Sequence, residues 1–151
     1  MDAPDILVAD DHPLFRAAVV HALREAMPRA RLAEASSATT LGEMLDARPD
    51  VDLILLDLAM PGARGFSALL HVRGARPEVP VVIISSNDHP RVIRRAQQFG
   101  ASGFIPKSSP AESIGEAVAT VLDGGTWFPA MSAERSEGDA RLAARLAQLT
   151  P

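Results

Sequence analysis

The chain has 151 residues, and 15 Lys+Arg against 19 Asp+Glu leave a formal net charge of −4. That length suits one domain with a short extension, and a hydrophobic content of 47% with 23% charged residues excludes wholesale disorder. With no cysteine, disulfides, thiolate zinc sites, iron–sulfur clusters and a cysteine nucleophile are all excluded, and a mildly acidic chain is a poor candidate for gripping a phosphate backbone alone. No secretory leader pattern and no apolar run near 18 residues occurs, so the expectation is a cytoplasmic protein without a membrane segment.

Five short apolar runs set the framework: Ile6 to Ala9, a weaker Arg31 to Ala35, Leu53 to Leu56, Val81 to Ile84, and Gly103 to Ile105. All but the second are continuous rather than alternating, the pattern of strands buried on both faces of a parallel sheet. Helix-period segments separate them. The first carries Leu14, Phe15, Ala18, Val19, Ala22, Leu23, Ala26 and Met27 as one expected apolar face, behind Asp11-His12-Pro13. Leu41, Met44 and Leu45 mark a second helix, closed by Arg48-Pro49. Phe66, Leu69, Leu70 and Arg73 mark a third, stopped by Gly74 and Pro77. Val92, Ile93, Ala96 and Phe99 mark a fourth with Gly100 beyond its end, and Ile114, Ala117, Val118, Val121 and Leu122 a fifth behind Pro110. Strand–helix repeated five times predicts an α/β fold: a parallel sheet with helices on both faces. This unit is expected to end near Trp127-Phe128-Pro129, with Trp127 and Phe128 packing the end of the fifth helix. Residues 132–138 read as linker and 140–149 as helical, with Leu142, Leu146 and Leu149 on one face.

Ligands of open parallel sheets collect at the carboxyl ends of the strands. Those ends carry Asp10-Asp11, Asp57, Ser85-Ser86 and Pro106-Lys107, whereas the second strand ends in Glu34-Ala35-Ser36 with nothing comparable. Three carboxylates within several Å repel, each pair by roughly 1–4 kcal/mol at a surface-type dielectric, and so call for a cation. An all-oxygen set without thiolate or imidazole suits Mg²⁺. A carboxylate beside such an ion can take a phosphoryl group, while a hydroxyl and an ammonium bind the phosphoryl oxygens. The chemistry read from position is phosphoryl transfer onto an aspartate. His12, His21, His71 and His89 are not at metal-ligand spacing and read as surface or cap residues. Arg91, Arg94 and Arg95 read as a solvated basic face on the fourth helix or as a contact for an acidic partner.

Four motifs resemble the response-regulator receiver domain in its order. They are Ala9-Asp10-Asp11-His12-Pro13-Leu14-Phe15-Arg16, Leu53-Ile54-Leu55-Leu56-Asp57-Leu58-Ala59-Met60-Pro61-Gly62, Ile84-Ser85-Ser86, and Gly103-Phe104-Ile105-Pro106-Lys107. The resemblance implies a flavodoxin-like doubly wound five-stranded parallel sheet of order 2-1-3-4-5. It implies Asp57 as phosphoacceptor, with Mg²⁺ held by Asp11 directly, by Asp10 through water, by Asp57 and by the backbone carbonyl of Ala59. Ser85 is implied as the switch hydroxyl, with Ser86 an open alternative, Lys107 as its partner on the phosphoryl group, and Phe104 as the switch aromatic that repacks inward. Serine stands at position 85 where threonine is usual, and Ser108 follows Lys107 where many receivers have a cis proline.

The opening Asp-Asp-His-Pro-Leu-Phe-Arg and the final Leu149-Thr150-Pro151 also resemble the NarL/FixJ-like branch, which carries a LuxR-type helix-turn-helix output domain. The expectation is a receiver over 1–129 and a linker with a helical segment over 130–151, leading to a DNA-binding domain absent from this chain. Implied partners are a sensor histidine kinase, a second copy upon phosphorylation, and DNA through the output domain only. Such a chain speeds its own phosphorylation and dephosphorylation and is not a turnover enzyme. Two alternatives stay open: a phosphohydrolase with an aspartyl-phosphate intermediate, disfavoured because Ala59 stands where such enzymes place a second acid, and a receiver-like module that acts without phosphorylation.

Overall fold

The computed structural model describes residues 3–62 and 64–129. In chain order the elements are β1 (Asp5–Ala9), α1 (Pro13–Ala26), β2 (Arg31–Ala35), α2 (Ala38–Ala47), β3 (Leu53–Asp57), α3 (Ser67–Ala75), β4 (Val81–Ser85), α4 (Pro90–Gln98), β5 (Gly103–Pro106) and α5 (Ala111–Leu122). All five strands pair in parallel in the order β2-β1-β3-β4-β5, as the resemblance implied. The helical segment expected over 140–149 lies outside the described residues.

Period-two alternation along each strand divides the core into two layers. Leu7, Ile54, Leu56, Val81, Ile83 and Phe104 pack with Leu41, Leu45, Leu69, Val72, Ile93 and Ala96 from α2, α3 and α4. Ile6, Val8, Leu53, Leu55, Val82, Ile84 and Ile105 pack with Val19, Leu23, Ile114, Ala117, Val118 and Val121 from α1 and α5. This double burial explains the continuous apolar runs of β1, β3 and β4, in which every residue is buried. β2 is an edge strand whose burial alternates, with only Ala33 and Ala35 buried, which accounts for its weak signal.

Two helical faces are narrower than their periodicity predicts. On α1 only Val19, Ala22 and Leu23 are buried, and Leu14 is 88% exposed, because the first turn stands at the strand ends with no layer above it. Leu70 is half exposed on α3, since it lies about 100° round the helix from buried Leu69. Phe66 falls just before α3 as its cap residue and meets Phe99 with ring centroids 5.2 Å apart.

Beyond α5 the chain returns to the sheet. The Phe104 N–H donates to the Trp127 carbonyl at 2.8 Å, and the Trp127 N–H donates to the Ser102 carbonyl at 3.1 Å. Trp127 and Phe128 are half-buried, one packed against each core layer, so they cover the edge of β5 as well as adding to the core.

α1 and α5 lie against each other through small residues. A Cβ at Gly115 would come 2.7 Å from the Ala26 Cβ, whereas one at Gly42 in α2 meets nothing within 4 Å. Gly115→Val is therefore expected to lower stability by about 1–3 kcal/mol in urea denaturation through overpacking, and Gly42→Ala to raise it by about 0.5–1 kcal/mol by removing the backbone-entropy cost of a helical glycine.

Candidate functional site

The carboxyl ends of β1, β3, β4 and β5 form one edge, and each predicted site residue is held there by its own strand. Asp10 follows β1, its N–H bonded to the Ala35 carbonyl at 2.9 Å, and its side chain is fully buried. Its Oδ1 accepts the His12 N–H at 2.7 Å, an Asx-type turn that carries the chain from β1 into α1. Asp57 ends β3 and is 1% exposed; its Oδ1 accepts the Ala59 N–H at 3.0 Å. Lys107 follows β5 and is positioned by its N–H, which donates to the Ser85 carbonyl at 2.9 Å.

The Lys107 ammonium gathers the site. Its Nζ donates to Asp57 Oδ2 at 3.2 Å, lies 3.1 Å from Asp10 Oδ2, and stands 4.7 Å above the centre of the Phe15 ring. Asp11 is partly exposed beside it. Three carboxylates and one ammonium leave a formal excess of two negative charges, an arrangement stable only with further cationic help. Arg16 braces the site from α1 with its charge paired elsewhere: its Nη1 donates to the Asp10 carbonyl at 2.6 Å while its Nε donates to Glu34 Oε1 at 2.8 Å.

His12 is exposed and stands at the start of α1, in keeping with the surface-or-cap reading, but its ring also meets this cluster. It precedes α1 as the cap residue but makes no side-chain cap bond. Its Nδ1 instead lies 3.1 Å from Asp10 Oδ1, 3.2 Å from Asp11 Oδ1, 3.6 Å from Asp57 Oδ2 and 2.9 Å from Lys107 Nζ. The available signal was adjacency: one loop of three residues carries Asp10, Asp11 and His12. His89 does cap its helix, its ring accepting the Arg91 N–H at 3.0 Å.

Ser85 and Phe104 stand apart from the charges. Ser85 is 5% exposed; its Oγ accepts the Asn87 N–H at 3.0 Å and faces the Asn87 carbonyl at 3.4 Å, while Ser86 is exposed. Phe104 is fully buried in the layer under α2, α3 and α4. No cis peptide bond occurs among the described residues.

A family model described as the response regulator receiver domain matches residues 6–119. The chain belongs to the response-regulator receiver family. It is 39% identical over 124 residues to the glycerol metabolism activator of Pseudomonas putida, a match spanning 82% of this chain and 56% of that protein. The signal receiver domain of the putative response regulator NarL from Mycobacterium tuberculosis superposes with a TM-score of 0.74 at 34% identity, covering 82% of this chain and 99% of that one. A LuxR family DNA-binding response regulator from Silicibacter pomeroyi gives 0.72 at 34% identity, over 83% and 95%. The likeness extends to the NarL/LuxR branch, and the chain spans about half the length of the curated relatives it matches. The fold is the receiver's flavodoxin-like one. No helix among the described residues is long and apolar enough to cross a membrane.

In this receiver the acidic edge fits a divalent cation on its own chemistry. Asp10 Oδ2 and Asp11 Oδ1 are buried oxygens without a hydrogen bond, and one ligand atom from each of Asp10, Asp11, His12 and Asp57 falls within 4.8 Å of the others. Lys107 Nζ stands 3.1 Å from Asp10 Oδ2 as an ion pair, yet a single ammonium leaves the edge short of positive charge.

Lys107 is the one ammonium among the described residues that meets both buried carboxylates. Lys107→Met is expected to destabilise the receiver by about 2 kcal/mol, since removing one partner strands the other charge. Adding Asp10→Asn should return most of that loss. A double-mutant cycle by urea denaturation in a chelator measures the coupling, and strict additivity would refute it.

Proposed function

We propose that the chain accepts a phosphoryl group on Asp57 from the phosphohistidine of a sensor kinase, and so controls a DNA-binding output domain. The observation that carries this reading is the division of labour on Asp57. Its Oδ1 is tied to the Ala59 N–H, while Oδ2 faces Lys107 Nζ. Oδ2 is thus the oxygen for attack: a P–O bond forms to it, the donor's P–N bond breaks, and that electron pair returns to the donor imidazole. The Lys107 ammonium then turns to a phosphoryl oxygen by a charge-assisted bond. Asp11, Asp57 and the Ala59 carbonyl would hold Mg²⁺, with Asp10 reaching it through water. When bound, that ion supplies charge neutralisation for the carboxylates and the transferred group.

The Ser85 hydroxyl, released from Asn87, would bind a further phosphoryl oxygen, with Phe104 on the neighbouring strand as the aromatic that responds. Ser85 is favoured over Ser86 because it is the buried member of the pair. The added charge biases β4, α4 and β5 between two arrangements and promotes pairing with a second copy. Residues 1–129 form the receiver in this reading, and 130–151 lead toward a LuxR-type output domain, as the length of the relatives supports.

Incubation with acetyl phosphate and Mg²⁺ is expected to add one phosphoryl group by intact-mass spectrometry, and Asp57→Asn to add none. Undiminished labelling of Asp57→Asn overturns the assignment. Light scattering with beryllofluoride and Mg²⁺ should show larger assemblies for the unsubstituted chain, and Ser85→Ala should be labelled yet lose that shift.

A further inference from the structure

A groove of about 590 Å³ runs between α1 and α5, on the opposite side of the sheet from α2, α3 and α4. Its floor holds the buried Ala22 and Gly115, and the exposed Ala26, Ala111 and Ala119 line it nearer the surface. With no side chain longer than a methyl group, these five leave an apolar channel. It follows α5 from position 111 to 119, about 12 Å at 1.5 Å per residue. Its charge is one-sided, because Glu25, Glu112 and Glu116 stand exposed along it. Among the described residues the one ion-pair partner of these acids is His21, when protonated, 3.8 Å from Glu25. A second copy presenting the same face would set acid against acid, so the groove calls for a basic, apolar occupant.

The same chain carries such a segment. Residues 140–149 hold Arg141 and Arg145 and no acid, and Leu142, Leu146 and Leu149 recur at the i, i+4, i+7 spacing by which a helix anchors in a groove. Ten residues as the helix this spacing predicts measure about 15 Å, close to the length of the groove. The starting point is also near. Pro129, the last described residue, lines a cavity with Ser109 and Ser113, at the end of α5 where Ala111 opens the groove. The intervening residues 130–139 can span at most about 33–36 Å. They carry Glu134, Glu137 and Asp139 against Arg135, a balance that the acidic rim would repel.

We propose that residues 140–149 of this chain dock in the α1–α5 groove, with their leucines on its alanine-lined floor and Arg141 and Arg145 against Glu112 and Glu116. Both the arginines and the two glutamates repeat every four residues, about one helical turn, so the two charge pairs form together. The tether makes the contact intramolecular, at an effective concentration that lets a weak interface fill. Docked there, the segment closes the α1–α5 face to any other partner. The inference does not depend on phosphorylation or on a bound ion.

The test uses the 151-residue chain, which has no cysteine, so Ala144→Cys gives a single attachment point for a nitroxide, opposite the leucines on a helix. In nuclear magnetic resonance the amides of Ala26, Ala111 and Ala119 are expected to lose most of their intensity, while that of Leu70 on α3 keeps it. Glu112→Lys with Glu116→Lys should restore the groove amides, and adding Arg141→Glu with Arg145→Glu should remove their intensity again. Unshifted amides in β1 and β3 show that each variant is folded. When nitroxide-bearing protein is mixed with isotope-labelled protein that lacks it, the groove amides should stay at full intensity, because the contact lies within one chain. Full intensity at the groove in the single labelled chain overturns the inference, as does loss on α3 or α4 in its place. Charge reversal without effect overturns it too, and loss in the mixed sample places the segment on a second copy instead.

Discussion

Everything at the functional edge follows from placing two buried carboxylates within reach of one ammonium, with a third carboxylate beside them. Asp10 and Asp57 are buried almost completely, and Lys107 Nζ stands 3.1 Å and 3.2 Å from an oxygen of each. Like charges this close repel by roughly 1–4 kcal/mol per pair, against a total stability of only about 5–15 kcal/mol for a domain. Such a cluster survives because the strands beneath it are rigid, fully apolar and buried on both faces. It is a charge imbalance built on a stable platform.

The surroundings are arranged to hold the imbalance in place. The Ala59 N–H fixes one Asp57 oxygen, the His12 N–H fixes one Asp10 oxygen, and Arg16 braces the Asp10 carbonyl from the side. The oxygens left over, Asp57 Oδ2 and Asp10 Oδ2, both face Lys107 Nζ. Backbone N–H groups serve this better than side chains, because the fold positions them without loss of rotamer freedom.

Much of this was legible in the amino-acid order. Continuous apolar runs locate β1, β3, β4 and β5, and the polar residues at their ends include Asp10, Asp11, Asp57, Ser85 and Lys107. Periodicity overstated what each helix buries: Leu14 and Leu70 fit the apolar spacing yet lie exposed, since spacing cannot tell where the sheet beneath ends. The closeness of His12 to the acids is not legible for a related reason. Ligand spacing along a helix or loop is a local rule, whereas His12 reaches Asp57 and Lys107 only through the convergence of three strands. Arg16 appeared in a quoted motif without a role, because its partners, the Asp10 carbonyl and Glu34, are contacts of backbone and neighbouring strand.

The backbone bridge between Gly103 and Trp127 has a mechanical meaning. Phe104 is tied by its own N–H to the Trp127 carbonyl, and Lys107, three residues on, is tied to Ser85. The strand that delivers the ammonium to Asp57 is therefore also the strand on which the chain is last anchored before position 129. A shift of β5 along its axis, however small, moves that anchor with it, so the departing polypeptide is hitched to the same rod as the counter-charge of Asp57.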